Sequence, residues 1–244
     1  MTVTHKQSFL FPMVLYGSIF YVNYQKRKRE GDDGIVTNSP LGPGISVVKF
    51  SIAMDLSDRD DPNGILSKLK ETSESFSTES RMEVSHLISK VCKDLLQEQS
   101  KIFAACASYD HYSNIRDAER HHSKLSIEER SKFELETINK FGGRYQSNEV
   151  LALESDGAMS DGDDETKSTC AIVTILLSIE GDQTKPRTKM NSWQDVWDAL
   201  SMMGAHVLED DCLLSAEVLW TPERRSDVWT RRDIAAFYSD LRVI

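Results

Sequence analysis

The stretch TCAIVTILLSIE, residues 169–180, constrains the fold more than any other part of this chain. Its alternate positions are apolar on both sides: Ala171, Val173, Ile175, Leu177 and Ile179 on one, Cys170, Ile172 and Leu176 on the other. A strand with two apolar faces belongs in the middle of a sheet covered on both sides, not at its edge. The run is too short to cross a bilayer, which takes about 20 residues as a helix. An acidic, core-poor segment at 148–167 precedes it, and a basic loop at 181–190 follows. The acidic segment is expected to be a disordered insertion.

The rest of the soluble part reads as alternating elements around that strand. Residues 45–56 alternate cleanly, with Val48, Phe50, Ile52, Met54 and Leu56 on one side and Lys49, Ser51 and Asp55 on the other. That pattern predicts a strand with one buried face. A weak amphipathic helix follows at 65–76. A stronger one spans 78–97, where Val84, Leu87, Ile88, Val91, Cys92, Leu95 and Leu96 form a stripe at helical spacing. Residues 101–109 predict a second strand. Residues 125–141 predict a helix opened by a capping box of Ser126 and Glu129, with Ile127 and Phe133 as anchors. Ser192 caps a further helix, with Trp193, Val196, Trp197, Leu200 and Met203 on one face and Gly204 at its end. A last strand at 211–220 stops at Thr221 and Pro222, and a short helix at 230–238 closes the chain. The expected fold class is α+β: a small mixed sheet of about four strands with helices packed on it and some ferredoxin-like character.

Charge narrows the partners. With 29 basic and 39 acidic residues the net charge is −10, which argues against a nucleic-acid-binding domain. The four cysteines, Cys92, Cys106, Cys170 and Cys212, each sit in an apolar segment and form no CxxC pair. Buried free thiols in a reducing compartment fit best.

The N-terminal part reads differently. Residues 8–24, SFLFPMVLYGSIFYVNY, are apolar and run directly into Lys26, Arg27, Lys28 and Arg29. The run falls a little short of a full span, its tyrosines suit an interface, and the basic cluster acts as a stop-transfer flank. A secretory signal would carry its basic residues ahead of the apolar run. The expectation is one transmembrane helix: residues 1–30 an anchor with its basic flank, 31–44 a linker, and 45–244 the α+β domain. The membrane, contacted through 8–24, is the partner this reading names.

Candidate chemistry is sparse. Residues 110–122 bring His111, His121 and His122 close in sequence to Asp110, Asp117 and Glu119, the best place for metal or acid–base work. Their spacing matches no zinc pattern, and a polar loop entering a solvated helix is the plainer reading. The acidic stretch 58–64 lacks the spacing of a calcium loop and reads as a turn. Glu217, polar within an apolar run, reads as solvent-facing. Walker, GxGxxG and GxSxG motifs are absent from the sequence.

Three stretches taken together, LSIEERSKFELET at 125–137, CAIVTILLSIEG at 170–181 and AEVLWTPE at 216–223, resemble a plant and cyanobacterial membrane-protein family known only as domain of unknown function 1517. Its best-described members are the fluctuating-light acclimation proteins of chloroplasts. The resemblance implies a regulator, not a catalyst, tied to photosynthetic acclimation and proton balance. It supplies no catalytic, cofactor-binding or metal-binding residue. It also implies a chloroplast membrane, thylakoid or envelope, with the soluble domain facing the stroma. No transit peptide is visible ahead of the apolar run, so the compartment rests on the resemblance. The expected function is a membrane-anchored regulatory or interaction protein. The alternatives are a metal-dependent enzyme using His111, His121 and His122, and a soluble adaptor domain.

Overall fold

The structure, a computed structural model, describes residues 17–22, 39–75, 80–141, 169–222 and 229–244, with 17–22 and 133–141 as backbone alone. In chain order the described elements are β1 (Gly17–Val22), β2 (Ile45–Leu56), α1 (Ile65–Ser75), α2 (Arg81–Gln97), β3 (Ile102–Tyr112), α3 (Ile115–Phe141), β4 (Thr169–Glu180), α4 (Trp193–His206), β5 (Leu213–Thr221), α5 (Arg231–Phe237) and β6 (Arg242–Val243). The strands form one sheet in the order β1-β5-β4-β2-β3-β6, and every neighbouring pair is antiparallel.

This sheet is larger than the expected four strands and is antiparallel throughout, not mixed. Helical connections join adjacent antiparallel strands at β2–α1–α2–β3 and β4–α4–β5. The unit β3–α3–β4 spans across β2, so two parallel-running strands flank a third between them. That split βαβ unit is the ferredoxin-like feature of the fold.

β4 takes the central place its sequence predicts, between β2 and β5, with all of its 12 residues buried. The sheet is covered on both faces. On one, Phe50, Ile52, Val173, Ile175 and Val218 pack with Leu69 of α1, Leu87 and Ile88 of α2, and Val196 and Leu200 of α4. On the other, α3 covers Ile45, Val47, Leu176 and Leu214 through Ala118 and Leu125. Trp229, Ile234 and Tyr238 cover Ala53, Ala104, Cys170 and Ile172 farther along that face. β2 is thus buried on both sides: Lys49 lies beneath α3 and Ser51 is buried beside it, neither in solvent.

Several local expectations change for packing reasons. The helix expected from 125 starts at Ile115, where Asn114 Oδ1 accepts the Asp117 amide at 2.9 Å as an N-cap. Ser126 and Glu129 therefore sit inside the helix, and Glu129 turns toward the sheet. Ile127 points outward at 67% exposure, and Leu125 takes the buried position. Trp197 is 46% exposed, so the packed face of α4 is Val196, Ala199, Leu200 and Met203. Gly204 lies within α4, not beyond it. A Cβ there would stand 3.2 Å from Cys92 Cβ, so glycine lets α2 and α4 approach closely.

The N-terminal expectation changes most. Residues 17–22, read as part of a membrane helix, form an edge strand paired with β5, from Gly17 opposite Trp220 to Val22 opposite Ser215. Among the described residues no helix is long and apolar enough to cross a membrane. The remainder of the run, the KRKR cluster and the acidic insertion at 148–167 lie outside the described residues.

Candidate functional site

Polar side chains gather where α3 crosses the sheet. They come from every second position of three adjacent strands: Lys49 and Ser51 on β2, Thr174 and Ser178 on β4, Ser215 and Glu217 on β5. All are buried. The strand register sets Ser51 beside Thr174 and Ser178 beside Ser215, while Leu176 separates Lys49 from Glu217. Above them α3 lowers His122, Glu129 and Arg130, spaced seven and eight residues apart and so on one side of the helix.

The contacts divide the seam into four groups. Lys49 Nζ donates to Glu129 Oε1 at 3.0 Å, and Lys132 Nζ donates to the same oxygen at 2.8 Å. Asp240 stands 3.7 Å from Lys49 Nζ. Arg130 Nε donates to Glu217 Oε1 at 2.7 Å, a second guanidinium nitrogen meets the same oxygen, and the Glu217 side chain is 0% exposed. His122 Nδ1 lies 3.0 Å from Ser178 Oγ and 3.2 Å from Ser215 Oγ. Ser51 and Thr174 hydroxyls meet at 2.8 Å. His122 Nε2, Glu129 Oε2 and Glu217 Oε2 make no hydrogen bond among the described residues.

Electrostatics follow from this burial. Burial pulls the Lys49 ammonium downward, but the Glu129 carboxylate more than offsets it, and its pKa stands above the ordinary 10.5. Burial, helped by the neighbouring His121, lowers His122 to about 4, so the ring is neutral at neutral pH. Burial also raises the Cys106 thiol, against the opposing pull of Lys49. Two of the pairs, Lys49 with Glu129 and Arg130 with Glu217, tie a helix to a sheet. Ser178 and Ser215 face an imidazole as a nucleophile would, and both are fully buried.

The three histidines of the alternative metal-enzyme reading are not brought together. His122 turns inward to β4 and β5. His121 points instead to the end of β3, its Nδ1 2.8 Å from the Tyr112 hydroxyl and 3.7 Å from Asp110. His111 stays on β3 opposite Ser46. Among the described residues no three His, Cys, Asp or Glu side chains are placed to hold a metal ion. Glu217, expected in solvent, is the most buried carboxylate of the seam. The signal that marks it is the shared parity of polar residues in β2, β4 and β5, which stays hidden until the register is known. All four cysteines are buried free thiols, as their apolar surroundings predict.

Comparison with known proteins gives a consistent answer. FLUCTUATING-LIGHT-ACCLIMATION protein 1, chloroplastic, of Arabidopsis thaliana is 25% identical over 236 residues, covering 96% of this chain and 55% of the relative. Protein FLAP1 homolog A of Synechocystis is 32% identical over 130 residues, covering 52% of this chain and 37% of the relative. The chain thus spans about half the length of the first and little over a third of the second. No solved structure is significantly similar to the chain. The model of a family described as protein of unknown function, DUF1517, matches residues 44–244, which takes in every described element from β2 to β6, and the chain belongs to that family.

Proposed function

We propose that this chain is a non-catalytic regulatory or interaction protein that acts in photosynthetic acclimation in the chloroplast, held at a membrane by its N-terminal apolar run with the acidic domain on the stromal side. The observation that carries the reading is family membership together with the name of a relative matched across nearly the whole chain. The described fold supports it. The polar groups of the α3 seam bond to one another, and the sheet is covered on both faces. The apolar run at 8–24 with Lys26, Arg27, Lys28 and Arg29 behind it supports the membrane attachment.

Disruption of the gene in the photosynthetic organism that carries it tests the role. Chlorophyll-fluorescence quenching during alternating low and high light should depart from the wild type, and an unchanged response would sink the proposal. Fractionation with protease protection tests the attachment. Recovery in the salt-washed soluble fraction rules out an integral anchor.

A further inference from the structure

β5 is built as an interior strand. All nine of its residues are buried, its sequence LLSAEVLWT carries no proline or lysine, and its one charge, Glu217, is directed to Arg130. Without a neighbour on its outer side it would present a long, apolar, unprotected edge, which soluble proteins avoid. Gly17–Val22 fills that side, pairing antiparallel over six positions, and contacts α1 as well.

The connection does not force this pairing. β1 lies three strand spacings from β2, roughly 14 Å. The chain between Val22 and Ile45 has an extended reach on the order of 70 Å. The six residues also belong to the apolar run at 8–24. Inside a bilayer their backbone groups must be satisfied within a helix, which excludes simultaneous pairing with β5.

We infer that residues 17–22 hold two mutually exclusive places, the outer edge of β5 and the lipid bilayer, so that membrane entry uncovers the outer edge of β5. The inference rests on the membrane attachment proposed above. β1 then acts as a plug in the unattached protein, keeping the edge closed until the segment leaves it.

Hydrogen exchange of the full chain, with and without phosphatidylcholine–phosphatidylglycerol vesicles, combined with flotation, tests it. Amides alternate in direction along a strand. On flotation, every second amide of 215–220, those facing β1, should therefore exchange at least about tenfold faster, while those facing β4 stay protected. Flotation with unchanged β5 exchange overturns the inference and leaves membrane attachment standing. Failure to float removes both. Ser18→Lys separates insertion from a general lipid effect: lysine suits an edge strand but opposes entry into hydrocarbon. The variant should keep the wild-type thermal midpoint, fail to float and hold β5 protected with vesicles present. Opening of β5 in a variant that does not float also overturns the inference.

Discussion

Lys49 and Glu129 are 80 residues apart in sequence and 3.0 Å apart in the fold, joining the underside of the sheet to the helix that crosses it. Removing one partner leaves the other buried. Glu129→Ala should destabilise the protein by about 3 kcal/mol, because Lys49 keeps only the more distant Asp240. The double variant Lys49→Met, Glu129→Leu should recover most of that loss. Urea denaturation of the three proteins checks both, and a double variant as weak as Glu129→Ala contradicts the account. The pH dependence has a fixed sign. Because the folded pKa of Lys49 is raised, its contribution is complete below the ordinary 10.5 and is lost as pH climbs through the folded value.

His122 gives the opposite end of the pH profile. Its folded pKa of about 4 lies below the ordinary 6.5, so the unfolded chain binds more protons between those values. Stability therefore falls as pH drops through that window, by about 3 kcal/mol from this group. His122→Gln should flatten that part of the curve of urea midpoint against pH. An acid limb as steep as the wild type's between pH 6.5 and 4 would assign the effect to other groups.

Gly181 ends β4 at φ +113°, and a Cβ there would lie 2.4 Å from the Leu41 carbonyl oxygen. Backbone conformation and space both exclude a side chain, so Gly181→Ala should cost about 1–3 kcal/mol. Thermal unfolding measures it. A loss below half a kcal/mol, on the order of a neutral surface change, is incompatible with this packing.

The Cys92 thiol is fully buried between α2 and α4, and burial raises its pKa to about 12. It should resist alkylation in the native protein at pH 8 and react only on unfolding, because the thiolate is the attacking form. Mass-spectrometric mapping of iodoacetamide adducts at increasing urea reads this directly. Modification of Cys92 at zero urea would contradict its placement.

Much of the fold is legible in the residues. The two-sided apolarity of 169–180 marks the central strand, the stripe from Val84 to Leu95 marks α2, and the run 211–220 marks the strand that becomes β5. These signals survive because burial repeats with the period of each element. The start of α3 is hidden because residues 115–124 are mostly charged or histidine, and the buried positions there, Ala118 and His122, are a small residue and a polar ring that make no strong apolar stripe. The seam is hidden for a related reason. Lys49, Ser178 and Glu217 each look like the wet side of a strand, and a polar residue under a helix has the same letter as one in water.

By itself, then, the sequence determined the α+β class, the centrality of residues 169–180, the burial of the cysteines and the family resemblance, since each depends on local periodicity or contiguous motifs. Tertiary structure decided what no local window carries: the antiparallel order of the sheet, the pairing of Lys49 with Glu129 and of Arg130 with Glu217, the parting of His121 from His122, and the place of residues 17–22 beside β5. The physical reason is register. Which polar groups meet across strands and helices depends on how distant segments align, and one residue of slip would turn every one of them to the other face.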